Sequence, residues 1–262
     1  MSSTQLSLSN LSVSFGGVKA LTDVSLTVPK NSVVGLIGPN GAGKTTVFNC
    51  ISGLVKSDSG SFEFNGVKRA FPKPHELVDL GITRTLQGVG LFNELSVLQN
   101  VMVGADKKYK PNFIKELIGL SGKTEANLVE RAEEALAWVG GASLIGRQPS
   151  EFSYPDTKRV ALARALVINP TLLMLDEPAA GLGQDDIDAL AALIKQLKRR
   201  CSILIVEHHV DFVREISDSV NVLNFGKLIA SGSYDEVKKN PAVIEAYLGH
   251  SDKPDENSSI GQ

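Results

Sequence analysis

The order of hydrophobic and polar positions predicts two kinds of β-strand in this chain. Apolar and polar residues alternate in three segments, residues 5–15, 22–28 and 61–66. Alternation is typical of strands with one buried face, so we expect these segments to form an antiparallel sheet. Three other segments are nearly continuous apolar runs, residues 32–38, 171–176 and 201–206. Such runs are typical of parallel strands buried on both faces, and each adjoins a helical pattern, which predicts an α/β core.

A helical pattern replaces the β pattern between about Gly88 and Ser150. Apolar side chains recur there at the three- and four-residue spacing of one helix face. They are Leu128, Val129, Ala132, Ala135, Leu136 and Val139. We therefore predict that a helical subdomain is inserted into the core.

The pattern as a whole divides the chain into three parts. Residues 1–86 and 162–250 are expected to form the α/β core with its antiparallel layer, and residues 87–161 the helical insert. Residues 251–262 are polar and without periodicity. Such a composition buries too little apolar surface to fold, so we expect a disordered tail.

Composition and charge narrow the classes of function. The 262 residues carry 27 Lys and Arg against 29 Asp and Glu, a net charge of -2, so there is no basic field to attract nucleic acid. Cys50 and Cys201 lie far apart in apolar runs, which indicates two reduced core thiols and a cytoplasmic protein. The first residues do not resemble a signal peptide, and no uncharged apolar run reaches roughly 18 residues. Any contact with a membrane is therefore expected to come through a partner.

Residues 38–46 fit the spacing G-x-x-x-x-G-K-[ST] of a phosphate-binding loop. The motif consists of Gly38, Pro39, Asn40, Gly41, Ala42, Gly43, Lys44, Thr45 and Thr46. It follows a buried strand and opens a helical run, so its backbone N–H groups can surround phosphates at a helix N-terminus. Lys44 would supply a positive charge to the β- and γ-phosphate oxygens of ATP, and the Thr45 hydroxyl would bind Mg²⁺. The alternative is an ordinary glycine-rich turn.

Two carboxylates follow the second apolar run. Asp176 ends the run and can hold the Mg²⁺ shell, while Glu177 would lie beside the γ-phosphate as general base for the attacking water. An Asp-Glu pair after a strand is more often a loop start or a helix cap. Downstream of a phosphate-binding loop, however, the catalytic interpretation is favoured.

The ordered set of motifs resembles the nucleotide-binding domain of ABC transporters over nearly the whole chain. The set comprises Phe15, Gln87 in TRTLQ, the signature segment FSYPDTKRVALARAL at residues 152–166, LLMLDEP, AAGLG and IVEHHV. The resemblance implies a RecA-like P-loop NTPase core with an antiparallel β subdomain and an inserted α-helical subdomain. It also implies that ATP, bound with Mg²⁺, joins two such domains and that hydrolysis releases them.

The resemblance assigns roles to four further residues. Phe15 would stack on adenine, Gln87 would couple the metal and water site to the membrane subunit, and His208 would contact the γ-phosphate. Ser153 would face the γ-phosphate bound by the other subunit. Taken alone, Phe15 could be a sheet hydrophobe and Gln87 a surface amide. His208 and His209 are consecutive and do not converge on one ion in a regular element, which favours the γ-phosphate role over a metal site.

A narrower resemblance covers the ends of the insert and the C-terminal third. Residues 81–87, 91–101 and 206–249 are similar to the ATPases of branched-chain amino-acid and urea importers. Uptake of branched-chain or other hydrophobic amino acids is thus implied, at the cytoplasmic face of the inner or cell membrane. The implied partners are permease subunits, a second ATPase subunit and, indirectly, a solute-binding protein.

The apolar residues after Gln87 predict where a membrane subunit docks. Few charges interrupt residues 87–100. The apolar side chains there are Val89, Leu91, Phe92, Leu95 and Val97. Leu95 and Val97 are instead assigned to the core of the insert itself.

The signature segment departs from the family pattern. Where related proteins have Ser-Gly-Gly-Gln or Ser-Tyr-Gly-Gln, this chain has Ser153, Tyr154, Pro155 and Asp156. Proline has no N–H to offer a phosphate, and a carboxylate repels one. The same residues could also simply cap a helix. The departure predicts a heterodimer with one fast and one slow ATP site, and Gly183, where the family often has Asp or Asn, could add to the asymmetry.

Three alternatives to an amino-acid importer remain from the sequence. A urea or amide importer ATPase would share every motif, because nothing in an ATP site reads the cargo. A non-transport ABC ATPase would have a basic surface or tandem cassettes, and the sequence has neither. Intact Lys44, Asp176, Glu177 and His208 argue against a regulatory module that binds nucleotide without turnover.

Overall fold

The computed structural model describes residues 3–85, 90–105 and 122–248. Its strands are β1 (Thr4–Phe15), β2 (Val18–Pro29), β3 (Val33–Ile37), β4 (Ser59–Phe64), β5 (Val67–Arg69), β6 (Ile82–Arg84), β7 (Leu172–Asp176), β8 (Ser202–Val206), β9 (Ser219–Asn224) and β10 (Lys227–Gly232). Its α-helices are α1 (Lys44–Ile51), α2 (Leu77–Leu80), α3 (Val97–Met102), α4 (Gly122–Trp138), α5 (Tyr154–Leu166), α6 (Gln184–Leu197), α7 (Val210–Ile216), α8 (Tyr234–Val237) and α9 (Pro241–Leu248).

A six-stranded sheet forms the centre, in the order β10-β9-β3-β8-β7-β6. All neighbouring strands in it are parallel except the antiparallel pair β9 and β10. Every residue of β3, β7 and β8 is buried, because both faces of the sheet are covered, as their continuous apolar runs predict. The carboxyl ends of β3, β7 and β8 therefore meet at one edge of the sheet.

A second sheet covers one face of the first. It has the order β2-β1-β4-β5 and is antiparallel throughout. Between the two sheets lies α1, whose Val47, Phe48 and Ile51 are fully buried in one cluster with residues of both sheets. The predicted antiparallel layer thus fixes the helix that follows the phosphate-binding motif.

Helices cover the opposite face of the central sheet. Their apolar side chains form one continuous core with Leu173, Leu175, Ile203 and Ile205. The predicted amphipathic helix is α4, and its Ala132 and Leu136 are fully buried in this core. Among the helices of the described residues, none has the length and hydrophobicity needed to cross a membrane. The predicted tail at residues 251–262 lies outside the described residues.

Candidate functional site

The motif of residues 38–46 joins the end of β3 to the start of α1. Gly43 has φ 106, a conformation that L side chains rarely adopt, and a Cβ there would lie 2.7 Å from Leu21 Cδ2. At Gly38 a Cβ would lie 2.1 Å from the carbonyl oxygen of Leu223. Glycine is therefore required at both positions, and the loop folds tightly over the end of the sheet.

The start of α1 presents unpaired backbone donors. The first intrahelical bond runs from the Val47 N–H to the Gly43 carbonyl, so the N–H groups of Lys44, Thr45 and Thr46 precede the helical ladder, as at every helix start. Thr45 is exposed, which leaves its hydroxyl accessible. These donors and the positive end of the helix dipole suit an anion.

Lys44 folds back over the loop that precedes it. Its Nζ donates to the carbonyl oxygens of Gly38 at 2.7 Å and Pro39 at 2.9 Å. Burial lowers the pKa of Lys44, and the charges of Glu177 and Asp176 act in the opposite direction. The charges of both carboxylates therefore act on the ammonium group of the phosphate-binding motif.

Asp176 is held at the end of β7 by an arginine that sequence reasoning missed. Its Oδ2 accepts a bond from Arg84 at 2.7 Å, and both side chains are nearly buried. Arg84 also donates to Asn49 Oδ1, at 2.7 Å, on α1. The arginine at the end of β6 therefore connects the carboxylate to the helix of the phosphate-binding motif. Its place in TRTLQ, three residues before Gln87, is the sequence signal that could have found it.

Glu177 stands beside His208. Its Oε1 lies 3.7 Å from His208 Nδ1. His208 is 59% exposed, so its ring faces the space next to the carboxylate. His209 has a different place, because its Nδ1 accepts from the Phe212 N–H at 3.4 Å and caps α7. The two consecutive histidines thus serve different purposes.

Two further charged residues hold the backbone after β7. Lys158 Nζ donates to the carbonyl oxygens of Pro178 at 2.7 Å and Ala180 at 2.6 Å. Glu207, 1% exposed, accepts from the Ala179 N–H at 2.7 Å. Sequence reasoning missed both residues. Glu207 has a visible signal, a carboxylate directly after the apolar run of residues 203–206, whereas Lys158 has none beyond its place in the signature segment.

Ser153 begins α5 and bonds to its own helix. Its hydroxyl donates to Asp156 Oδ2 at 2.7 Å and accepts from the Asp156 N–H at 3.3 Å. Asp156 also binds Arg159 at 2.8 Å. Partial burial favours a higher pKa for Asp156, but the Ser153 hydroxyl and the Arg159 guanidinium outweigh it, so the pKa of Asp156 lies below its ordinary value. The helix cap that the sequence allowed is thus present in the structure.

The remaining predicted residues are placed as follows. Phe15 is half exposed at the end of β1, and Gly183 is the N-cap of α6. Gln87 and Val89 lie outside the described residues.

The arrangement fits a nucleoside triphosphate. A tight loop, a helix start with open donors and a lysine converge from β3 and α1, and a carboxylate pair converges from β7. Within the described ranges no cluster of three or more His, Cys, Asp or Glu could hold a metal by itself. One carboxylate, Asp176, and one exposed hydroxyl, Thr45, are the kind of partial oxygen set that Mg²⁺ uses when phosphates and water complete its shell. The fold and the site together define a P-loop NTPase.

Comparison with known proteins specifies the family. Residues 21–180 match the family described as ABC transporter, and residues 227–253 match the family described as branched-chain amino acid ATP-binding cassette transporter. The high-affinity branched-chain amino acid transport ATP-binding protein LivG of Salmonella typhimurium is 37% identical over 253 residues, 95% of this chain and 99% of that protein. The corresponding BraF of Pseudomonas aeruginosa is 36% identical with the same coverage. The chain belongs to the ABC transporter family, as an ATP-binding subunit.

Solved structures agree with this assignment. A nucleotide-free ATP-binding cassette from an ABC transporter has a TM-score of 0.82 at 32% identity, covering 93% of this chain and 98% of that one. The ADP conformation of such a cassette also has a TM-score of 0.82, at 31% identity, covering 94% and 99%. The predicted family, the α/β fold class and the ATPase class are therefore confirmed.

Proposed function

We propose that this chain hydrolyses ATP to power uptake of branched-chain or other hydrophobic amino acids through separate permease subunits. The observation that carries the ATPase part is the convergence of Lys44, Asp176, Glu177 and His208 at one edge of the sheet. The amino-acid part is supported by LivG and BraF, which align along almost their whole length. The match of residues 227–253 favours this cargo over urea or an amide.

The site residues are proposed to divide the work of hydrolysis. Backbone N–H groups of residues 38–46 and the Lys44 ammonium bind the β- and γ-phosphates, and Phe15 stacks on adenine. Thr45, Asp176 and Gln87 would hold Mg²⁺, which supplies charge neutralisation to the phosphates when bound. Glu177 accepts the proton of the attacking water, and His208 contacts the γ-phosphate.

Hydrolysis is proposed to take place between two ATPase subunits at the cytoplasmic face of the cell membrane. Each ATP site would combine the phosphate-binding loop of one subunit with the signature segment of the other. The bonds among Ser153, Asp156 and Arg159 favour a heterodimer, because they occupy groups that a phosphate would need. Residues 87–161 are proposed as the helical subdomain that connects the ATP-binding core to the permease.

Reconstitution tests the proposed cargo. Subunits that copurify with the chain are identified first. The chain is then co-expressed with the membrane, partner ATPase and solute-binding subunits among them, and the purified complex is placed in proteoliposomes. We expect radiolabelled leucine, isoleucine or valine to accumulate only when ATP is present on the side of this subunit. Accumulation of urea without leucine uptake would favour the alternative cargo, and copurification without any membrane subunit would contradict the transporter role.

The segment after Gln87 is predicted to contact the permease. Phe92 is 48% exposed and lies under Arg164, 5.7 Å from the ring centre, whereas Leu91 packs against the core of the insert. Val97 is 1% exposed and belongs to that core, and Leu95 is partly exposed. Cysteines placed at residues 90–94 should therefore crosslink to the permease in assembled complexes. The measurement is the mobility shift of the permease band after oxidation.

The chain offers good controls for this experiment. Both native thiols are buried, and burial raises the pKa of Cys50 to about 11 and that of Cys201 to about 12. They should therefore react slowly and leave little background. A cysteine at Val67, exposed on the antiparallel sheet, should not crosslink. Crosslinks from position 67 with none from positions 90–94 would disprove the docking site.

A further inference from the structure

The loop that follows β7 is held by the signature helix of the same subunit. Residues 177–181 form this loop, here called the Glu177 loop. Lys158, in the second turn of α5, donates from Nζ to the carbonyl oxygens of Pro178 at 2.7 Å and Ala180 at 2.6 Å, and it approaches the Glu177 carbonyl at 3.4 Å. One ammonium group has three N–H donors, so three carbonyls of one loop can share it.

The opposite side of the Glu177 loop is fixed by a buried carboxylate. Glu207 accepts from the Ala179 N–H at 2.7 Å with one oxygen. Its other oxygen accepts from the His208 N–H at 3.1 Å. A buried acceptor that satisfies two backbone donors is costly to displace. The Glu177 loop is therefore held from two sides, by Lys158 of α5 and by Glu207 directly after β8.

The contacts of Lys158 and Glu207 matter for Glu177 because the backbone of Glu177 is strained. Its φ is 47°, in the left-handed region that non-glycine residues rarely enter. Such conformations are energetically unfavourable and persist only where the surroundings enforce them. The Glu177 N–H donates to the Val206 carbonyl at 2.9 Å, which fixes one side of the residue. On the other side, its carbonyl faces the Lys158 ammonium.

Tyr154, one turn before Lys158 on α5, also packs against the Glu177 loop. A Cβ on Gly181 would lie 2.9 Å from Tyr154 Cε1. The Tyr154 ring therefore rests directly on the backbone of the Glu177 loop, and the Lys158 ammonium lies 5.1 Å from the centre of that ring. Residues four apart on α5 thus hold the same loop, since i and i+4 share a helix face.

We propose that Lys158 is a positioning residue for ATP hydrolysis: it locks the strained backbone of Glu177 to helix α5 and so sets where the Glu177 carboxylate points. The inference rests on the proposed role of Glu177 as general base. Because the contact joins the signature helix to the loop of the same chain, a shift of α5 displaces the carboxylate of this chain's own ATP site. The phosphate-binding loop takes no part in the contact.

The substitution Lys158→Met tests this role, because it removes the donor and keeps an unbranched apolar stem. In the complex assembled with its membrane and partner subunits, we expect kcat to fall about 10- to 100-fold, since a displacement of about 1 Å in a catalytic group has such effects. The KM for ATP and the Kd of a fluorescent ATP analogue should change by less than about twofold, because uniform binding is untouched. Lys195→Met is the matched control: Lys195, half exposed on α6, pairs with Glu215 of α7 at 2.7 Å, and its substitution should change neither constant.

The Glu177→Gln variant separates this inference from the proposed function. If Lys158 acts through Glu177, adding Lys158→Met to Glu177→Gln should lower kcat by less than about twofold more, as for residues that act as a unit. A parent-like rate in Glu177→Gln would overturn the proposed function itself. A slow Glu177→Gln beside a parent-like Lys158→Met would overturn only the role of Lys158. A loss of ATP affinity equal to the loss of kcat would also overturn it.

Folding is checked in the same samples by thermal melting. If Lys158→Met does not assemble, Lys158→Gln replaces it, because its amide can reach one of the carbonyls and keeps part of the packing. The same split between kcat and KM is expected, with a smaller loss of kcat. A folded Lys158→Gln complex with the parent rate would count against the inference.

Discussion

Replacing Glu177 with glutamine should leave ATP binding intact and reduce hydrolysis at least about 100-fold, which is the usual contribution of a general base. Glutamine has the same size and can still orient a water molecule, but it cannot accept the proton. The backbone bond from the Glu177 N–H to the Val206 carbonyl is independent of the side chain, so the loop should keep its shape. Steady-state turnover and the Kd of ATP are measured on the same preparation.

Lys44→Ala supplies the opposite signature in that experiment. Hydrogen bonds that involve a charged group contribute about 1.5–3 kcal/mol, so removing the ammonium should weaken ATP binding by roughly tenfold or more. Loss of affinity in Lys44→Ala together with loss of turnover alone in Glu177→Gln would separate the binding group from the base. Equal turnover in Glu177→Gln and the parent would end the assignment of Glu177.

The sequence predicts those parts of the fold that depend on local pattern. The fully buried strands β3, β7 and β8 follow from continuous apolar runs, and the division into a central and an antiparallel sheet follows from the change between continuous and alternating patterns. Strands β5, β6, β9 and β10 lie in none of the segments that the sequence pattern predicts as strands. β6 has only three residues, too few to establish a period, and β9 follows the short helix α7 closely.

The same distinction applies to the site. Lys44, Asp176 and Glu177 are identified from sequence because each stands in a motif whose spacing encodes its place on a strand or helix. The roles of Arg84, Lys158 and Glu207 depend on contacts between segments that are far apart along the chain. Lys158, for example, donates to the carbonyl oxygens of Pro178 and Ala180, which are 20 and 22 residues further along the chain. No periodicity encodes such a contact, so only the folded chain reveals it.

The start of α5 has few donors left for a phosphate. Pro155 has no N–H. The N–H of Asp156 is bonded to Ser153 Oγ at 3.3 Å, and the N–H of Thr157 is bonded to the Ser153 carbonyl at 3.0 Å. The Ser153 hydroxyl donates its hydrogen bond to Asp156 Oδ2 at 2.7 Å. A helix start of this kind satisfies itself, although helix starts are otherwise good anion sites.

Charge adds to the deficit of donors. The pKa of Asp156 is held below its ordinary value, mainly by the Ser153 hydroxyl and Arg159, against the effect of burial. The carboxylate is therefore ionised at neutral pH and repels a γ-phosphate, strongly so where the interface excludes water. In a homodimer both ATP sites would face this carboxylate, whereas in a heterodimer the phosphate-binding loop of this chain meets the partner's signature segment.

Purified alone, the chain should hydrolyse ATP slowly, and Pro155→Gly combined with Asp156→Gln should raise the rate at least about tenfold, the effect of ~1.4 kcal/mol. The double variant restores an N–H, removes the negative charge and releases the Ser153 hydroxyl. Adding Ser153→Ala should reduce the gain, because it removes the contribution of the released hydroxyl and leaves those of the restored N–H and the lost charge. Glu151→Gln is the control: it removes one negative charge from an exposed residue near the start of α5 and should leave the rate unchanged. Fast hydrolysis by the unmodified chain alone, with no change in the double variant, would contradict the asymmetric pair of sites.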